Sequence, residues 1–261
     1  METSPRISIV IVNYRSAARI GRLLRSLPRA ADISIIVANN DLSERRVLEE
    51  LSRTAGFILI ETGANRGFAA GANTGALAAE GDIIGFLNPD MLWSDTDIRS
   101  VRALFEENPK TGIIGLRLTS PSGETEAWSS GNDPSLAGLI LANLYRTDRH
   151  AATKEAFQSI DWVSGGALFI RTELFRKLGG FDERFFLYFE DADLCRRARQ
   201  SGSDVLLAGH LPIIHFGGLS QESRPLQKRH FYASQGAYYR KHRGAIEYRL
   251  LRFFRFLRYG I

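Results

Sequence analysis

The sequence predicts an α/β fold with a mostly parallel central sheet flanked by helices. Short apolar runs rich in Ile and Val recur along the first half of the chain, and such runs are typical of strands buried in a parallel sheet. Helical segments alternate with them, as expected for parallel strands joined by crossover helices. With 261 residues, 44% of them hydrophobic, the chain is long enough to bury a sizeable core.

The net charge of +5 is concentrated at the end of the chain. Residues 241–261 hold Lys241 and five arginines against one acid, Glu247, which accounts for the whole excess. The neutral remainder argues against nucleic acid as a partner. A single Cys195, no leader-like segment and no apolar run of membrane-spanning length favour a cytoplasmic protein that can lie on a membrane surface without crossing it.

The first two strands are predicted at residues 7–12 and 33–37, with an amphipathic helix between them. Each strand ends in a polar cluster, Asn13-Tyr14 after the first and Asn39-Asn40-Asp41 after the second. Because ligands bind beyond the carboxyl ends of the strands in open α/β sheets, both clusters are candidate site segments.

A third strand, at 57–60, leads into a run of small residues from Asn65 to Gly75. A helix that begins near Gly67 would offer free N–H groups to an anion. A small-residue helix packed closely on the sheet, with no ligand, explains the same pattern.

The fourth strand, at 82–87, delivers Asn88-Pro89-Asp90. Pro89 has no N–H and a fixed φ, so the strand ends there and Asp90 is held beyond its tip. Since Mg²⁺ is usually bound by few carboxylates plus substrate phosphates, Asp90 is a candidate metal ligand. An ordinary turn aspartate is the alternative.

The rest of the chain continues the alternation of helix and strand less regularly. The predicted elements are a helix at 95–106, a strand at 112–118, an irregular region at 119–159 with an apolar segment of open type at 136–145 and a polar loop at 146–154, a strand at 162–170, a helix at 172–178 ended by Gly179-Gly180, strands at 204–207 and 212–215, and helices at 226–242 and 246–258.

A cluster of acids opens a further predicted helix, which continues through Leu194 and Cys195. Glu190 and Asp193 lie three residues apart on one face, where the helix macrodipole explains them. Asp191 is rotated by about 100° from Glu190 and shares the apolar side. It is therefore predicted to face inward, where a carboxylate can accept a proton from a hydroxyl.

In this order the motifs resemble the family 2 inverting glycosyltransferases, in particular the bacterial rhamnosyltransferase-like members. The resemblance covers roughly residues 5–240, and several spaced motifs in one order are more specific than any single one. The motifs are Val12-Asn13-Tyr14, Asn65-Arg66-Gly67-Phe68 with Gly71 and Asn73, Leu87-Asn88-Pro89-Asp90, Gly165-Gly166-Ala167, Gly179-Gly180-Phe181-Asp182-Glu183, residues 188–195, and His215-Phe216-Gly217-Gly218.

The resemblance implies a GT-A fold, a nucleotide-diphosphate sugar donor, a glycan or lipid-linked glycan acceptor, and Mg²⁺ or Mn²⁺. Asp191 matches the general base and Asp90 the metal ligand, while His215 matches a histidine that reaches the metal or diphosphate, with a hydrogen-bonded structural histidine as its alternative. Acceptor recognition is expected in region 119–159. Donor contacts are expected from Asn13, Tyr14, Asn39, Asp41, Arg66, Asn88 and Asp90, and acceptor contacts from Trp162, Gly165, Tyr188 and Glu190.

One departure from the family pattern concerns the nucleobase. The family often has Val-Asp-Asn after its second strand, where this chain has Val37-Ala38-Asn39. The acid that commonly contacts the pyrimidine is therefore missing, although Asp41 lies nearby. The choice between a uridine and a thymidine donor stays open.

The C-terminal segment predicts an amphipathic helix. At about 100° per residue, Leu250, Phe253, Phe254 and Leu257 fall on one arc opposite the arginines, as in helices that lie on anionic lipid. Docking of the same arc on the domain is the alternative. The expected organisation is a transferase domain at 1–225, divided into a nucleotide-sugar half at 1–118 and an acceptor half at 119–225, with a basic helical extension at 226–261 whose segment 244–258 contacts the membrane.

These observations favour a metal-dependent inverting glycosyltransferase of cell-surface polysaccharide synthesis, at the inner face of the membrane, with dTDP-rhamnose as one candidate donor. A catalytically inactive, nucleotide-sugar-binding scaffold is the alternative, supported by the acid missing after Val37. A nucleotidylyltransferase would need a Gly-rich basic loop after the first strand, and Asn13-Tyr14-Arg15-Ser16 has no glycine.

Overall fold

A computed structural model of the protein describes residues 6–28, 30–93, 97–145, 157–217 and 223–259. The predicted loop at 146–154 and Gly218 lie outside these residues. The α/β architecture expected from the sequence is confirmed, with helices packed on a central sheet.

The central sheet has the order β3-β2-β1-β4-β10-β6-β11-β5, with β8 paired to β11, and a small second sheet pairs β7 with β9. Strands β3, β2, β1 and β4 are parallel, whereas β10 runs antiparallel to both β4 and β6. The strands are β1 (Ile7–Asn13), β2 (Ile33–Asn39), β3 (Ile58–Glu61), β4 (Ile83–Leu87), β5 (Met91–Leu92), β6 (Thr111–Thr119), β7 (Ser130–Gly131), β8 (Gln158–Ser159), β9 (Trp162–Val163), β10 (Ala167–Arg171) and β11 (Asp204–His215).

Two apolar cores, one on each face of the sheet, hold the helices to it. The apolar segment of open type is a helix, α5. None of the helices in the described ranges is both long and apolar enough to span a membrane. The helices are α1 (Ala17–Ser26), α2 (Arg45–Ala55), α3 (Phe68–Ala76), α4 (Ile98–Glu107), α5 (Leu136–Tyr145), α6 (Thr172–Lys177), α7 (Glu190–Gln200), α8 (Arg224–His242) and α9 (Gly244–Tyr259).

Two strand predictions were wrong in their boundaries. The strand expected at 162–170 is divided into β9 and β10. At Gly165-Gly166, between them, the backbone hydrogen-bonds to Asp191 at the start of α7 and to Asn88 after β4. The strands expected at 204–207 and 212–215 form one strand, β11, with an irregularity between Ala208 and Pro212. Pro212 cannot donate a ladder hydrogen bond, and here it marks a bulge rather than a strand end.

The C-terminal helices α8 and α9 share a third core with α5 and α7, which includes Phe185, Tyr238 and Leu251. Asp133 joins these elements electrostatically, since it pairs with Arg196 and Arg199 of α7 and with Arg243. These ion pairs therefore hold α7, the helix that carries the acidic cluster, against the segment between α8 and α9.

Candidate active site

Asp90 and His215 are brought together by strand pairing. The chain turns at Pro89, and β5 then pairs with the end of β11, where Met91 lies opposite His215. The amide of Phe216 donates to the carbonyl of Asp90 at 3.1 Å. As a result, Asp90 Oδ2 lies 3.4 Å from His215 Nε2, at the sheet edge that the sequence predicted.

Glu126 contacts the other side of the His215 ring. No sequence pattern singled out this residue. Its Oε2 lies 2.7 Å from His215 Nδ1. Burial lowers the pKa of His215, but the hydrogen bonds and charges of Asp90 and Glu126 outweigh it and raise that pKa to about 9. Conversely, burial raises the pKa of Asp90, yet its contact with His215 leaves the pKa of Asp90 below its ordinary value.

Asp90 and His215 fit a divalent cation that takes its remaining ligands from a substrate. Asp90 Oδ1 is buried and accepts no hydrogen bond within the described residues, so one carboxylate oxygen has no assigned partner. A carboxylate oxygen and the nitrogen of a neutral imidazole suit Mn²⁺, so a bound cation would displace the proton that His215 carries in its absence, and Mg²⁺ accepts the carboxylate. Across the described ranges, no group of three or more His, Cys, Asp or Glu has metal-site geometry.

Asp191 lies at the start of α7, just after a strained turn. Tyr188 and Phe189 have φ angles of 72° and 66°, a region that non-glycine residues rarely adopt and that is often found at functional sites. The carboxylate accepts two backbone hydrogen bonds, from Gly165 N to Oδ2 at 2.9 Å and from Ala192 N to Oδ1 at 2.7 Å. Burial raises the pKa of Asp191, and these hydrogen bonds moderate the increase.

The Gly165-Gly166 loop joins the two halves of the site. Gly165 binds Asp191, and the carbonyl of Gly166 accepts the amide of Asn88 at 2.9 Å. A Cβ on Gly166 would stand 2.8 Å from Cε of Met91 and 3.2 Å from Nδ2 of Asn88, so the loop packs closely on the Asn88–Asp90 turn. The loop therefore fixes Asp191 relative to Asp90.

Glu190 differs from the sequence-based interpretation. The sequence explained it by the helix macrodipole alone, but its side chain is buried and Oε2 has no described hydrogen-bond partner. Burial and the adjacent Asp191 charge raise the pKa of Glu190 well above its ordinary value. Because Asp191 accepts two N–H groups, the first proton taken up by this pair resides on Glu190. Asp193 is buried too, paired with Arg197, Lys241 and His242.

Asn13 and Asn39, which are expected to contact the donor, hydrogen-bond to each other in the structure. Asn13 Nδ2 donates to Asn39 Oδ1 at 2.8 Å and to Glu44, while Asn39 Nδ2 donates to Glu61. Both asparagines are fully buried, and a donor contact from either stays a prediction. Tyr14 lies half-exposed above them at the end of β1.

Asp41 is the acid that remains available at this edge. Its Oδ1 accepts the amide and hydroxyl of Ser43, whereas its Oδ2 is buried, accepts no hydrogen bond from the residues that the structure describes, and lies 3.7 Å from Arg15 Nε. Arg15 in turn lies over the Tyr14 ring, 5.2 Å from its centroid.

The helix at Gly67 forms as predicted, but its start is covered. Phe68 N donates to the carbonyl of Phe186 at 2.8 Å, and Gly67, at φ 90°, has no room for a Cβ against that same carbonyl. The close-packing alternative therefore describes this helix better than an anion site. Arg66 forms an exposed ion pair with Glu183 at 2.6 Å, and a donor contact from it stays a prediction.

Two expected acceptor residues are engaged in packing. Trp162 donates its indole N–H to the carbonyl of Asn132, and its ring covers Gly131, which leaves no room for a Cβ there. Tyr188 contacts the ring of Phe231 edge-on. Both side chains are half-buried.

Comparison with known proteins identifies the class. The profile described as Glycosyl transferase family 2 matches residues 8–179, and the chain belongs to this family. The match ends before Asp191 and His215, whose roles rest on the geometry above and on the resemblance noted in the sequence.

Among its relatives is the N-acetylglucosaminyl-diphospho-decaprenol L-rhamnosyltransferase of Mycobacterium tuberculosis H37Rv, 28% identical over 236 residues that cover 80% of this chain and 75% of the relative. Rhamnosyltransferase WbbL of Escherichia coli K12 is 24% identical over 221 residues, 80% of this chain and 83% of the relative.

The fold is similar to that of mannosyltransferase PcManGT from Pyrobaculum calidifontis, solved with GDP-Man and Mn²⁺. The TM-score is 0.62 at 16% sequence identity, over 92% of this chain and 64% of that one. At this identity the likeness concerns the fold alone, and it agrees with the GT-A architecture.

Proposed function

We propose that this protein transfers a sugar, with rhamnose as the first candidate, from a nucleotide-diphosphate donor to a hydroxyl of a lipid-diphosphate-linked glycan, with inversion. The observation that supports the proposal is the Gly165-Gly166 loop, which hydrogen-bonds to the half-buried carboxylate of Asp191 on one side and to Asn88 of the Asp90 turn on the other. The substrate class follows the names of the two rhamnosyltransferase relatives.

The mechanism follows from the placement of the two carboxylates. Asp191 takes the proton of the acceptor hydroxyl, whose oxygen forms a bond to the anomeric carbon of the donor. The bond from that carbon to the diphosphate oxygen breaks on the opposite face, and its electron pair leaves with the nucleoside diphosphate. Asp90 and His215 would hold Mg²⁺ or Mn²⁺, which supplies Lewis-acid neutralisation of the leaving charge.

We infer that the donor base binds at the ends of β1 and β2. Tyr14 offers an aromatic face there, and the Oδ2 of Asp41, whose described partner is the ion pair with Arg15, would accept a ring N–H in place of the acid missing at Ala38. Uracil and thymine share this N–H, so Asp41 admits both UDP- and dTDP-sugars.

A panel of UDP- and dTDP-sugars with Mn²⁺ and a short-chain N-acetylglucosaminyl-diphospho-lipid tests the proposal. We expect one donor to support transfer, with the anomeric configuration of the product, measured by NMR, opposite to that of the donor. If none of the donors supported hydrolysis or transfer while the donors still bound tightly, the result would favour the inactive scaffold.

We further propose that 226–261 is a helical extension of a transferase domain at 1–225, and that α9 rests on the inner face of the membrane. The inward side of α9 carries Tyr248 and the buried Leu251, and Arg255 pairs with Gln235. The apolar arc of Leu250, Phe253, Phe254 and Leu257, which the docking alternative places against the domain, is exposed. Exposed Arg249 and Arg252 complement anionic lipid headgroups.

Substitution of two exposed aromatic residues, Phe253→Ser with Phe254→Ser, tests the membrane contact. Binding to liposomes that contain anionic lipid, measured by sedimentation, should fall several-fold, because apolar area buried in the interface is lost while the α9 core contact at Leu251 stays. Donor affinity should not change. Leu77→Ser, which alters an even more exposed apolar residue outside α9, is the control. Liposome binding equal to wild type would contradict this proposal.

A further inference from the structure

Trp128 is a largely exposed aromatic side chain two residues from Glu126, which contacts His215. It is 59% exposed, whereas Trp93 is buried and Trp162 is half-buried under its own hydrogen bond. Tryptophan is usually well buried, so an exposed indole next to a binding site calls for a functional explanation.

The turn that carries Trp128 is tied to both halves of the site. Glu126 contacts His215, and the carbonyl of Ser129 accepts the amide of Ser164 at 2.9 Å, directly before the glycine that binds Asp191. Since consecutive Cα atoms are 3.8 Å apart, the Trp128 Cα lies within about 8 Å of that of Glu126 and about 4 Å of that of Ser129. The Trp128 backbone therefore lies between the residue that contacts His215 and the residue that contacts the segment before Gly165.

Hydrogen bonds hold this turn rigidly. Glu126 N donates to Leu118 O at 2.9 Å, and both the amide and the hydroxyl of Ser129 donate to Glu126 O, at 3.1 and 2.9 Å. The next residues, Ser130-Gly131, are buried in the β7–β9 pair. An aromatic ring on such a support loses little conformational freedom when a ligand packs on it.

We propose that Trp128 is the stacking platform for the sugar ring of the acceptor. The C–H face of a pyranose is apolar and matches the face of an indole, which buries a large area on contact. The acceptor hydroxyl must reach Asp191, and Trp128 lies one residue from the segment that holds the Asp191 loop. The inference rests on the proposed function and assigns the acceptor site to a residue outside the sequence motifs.

Steady-state kinetics of Trp128→Ala, with the donor identified by the panel and the same short-chain acceptor, test this role. We expect the KM for the acceptor to rise roughly tenfold, as for the loss of a contact worth about 1.4 kcal/mol. The KM for the donor and the affinity for Mn²⁺ in the presence of nucleoside diphosphate should not change. Trp128→Phe, which keeps an aromatic face, should recover most of the acceptor affinity.

A binding measurement separates this inference from the proposed function. Titration of the wild type with the acceptor should change the tryptophan fluorescence, and the change should be lost in Trp128→Phe, which keeps Trp93 and Trp162. An unchanged acceptor KM in Trp128→Ala, or a raised donor KM instead, overturns the platform while transfer itself persists. A wild type that binds acceptor with this fluorescence change but transfers no sugar overturns the proposed function alone.

Discussion

Asp191→Asn should reduce turnover by a factor on the order of 10² to 10⁴, the usual contribution of a positioned general base. An amide cannot take the proton of the acceptor hydroxyl at neutral pH. The substitution keeps the size of the side chain and places one NH₂ group against an N–H donor, of Gly165 or of Ala192, so a modest loss of stability is expected as well. Donor affinity should stay near that of the wild type, because the donor lies on the Asp90 side.

The control for this variant is Asp204→Asn, the same chemical change at an exposed aspartate at the start of β11. Its turnover should match that of the wild type. Donor binding by calorimetry and the melting temperature of both variants exclude a folding defect. If Asp191→Asn turned over at the wild-type rate with unaltered donor binding, the base would have to be another group.

The same carboxylate sets the expected pH dependence of kcat/KM. Burial raises the pKa of Asp191, and a base acts only when it is ionised, so activity should fall as the pH drops through this raised pKa and level off above it. The acidic limb should lie above the ordinary range of aspartate. Because Glu190 is coupled to Asp191, the measured value belongs to the pair. A limb at or below the ordinary aspartate pKa would contradict the assignment.

Local sequence patterns were enough to predict the first half of the fold. The Ile and Val runs of β1 and β2 and the stop at Pro89 are properties of neighbouring residues, so the strand ends and the position of Asp90 followed directly. For these residues the information lies within one turn or one strand. Helical geometry did not rank the acids of α7 correctly, since Glu190 and Asp193 are buried and Asp191 is half-buried.

Features that depend on distant pairing could not be predicted in this way. Glu126 is a lone acid in an irregular region, and only the approach of β11 makes it a partner of His215. The burial of Glu190 depends on the packing of α8 and α9 around α7, and the division at Gly165-Gly166 depends on Asn88 and Asp191. For Arg66, the ion pair with Glu183 joins residues 117 positions apart.

Asp90→Ala should remove most of the metal-stimulated activity. A Lewis-acid contribution of several kcal/mol corresponds to a loss on the order of 10² or more in kcat. The affinity for Mn²⁺ in the presence of nucleoside diphosphate, measured by calorimetry, should fall together with the rate, because His215 alone remains as a protein ligand. Asp204→Ala provides the matched control, with wild-type metal affinity expected.

Glu126→Gln should produce a smaller effect on the same metal affinity, about 10- to 100-fold, since a carboxylate that contacts a ligating histidine orients the ring and increases its basicity. The affinity for Mn²⁺ should therefore decrease in the order wild type, Glu126→Gln, Asp90→Ala. This order distinguishes a metal centre from an ion pair that only stabilises the fold. An ion pair would change the melting temperature of the variants and leave the Mn²⁺ titration as in the wild type, and that result would remove the metal from Asp90 and His215.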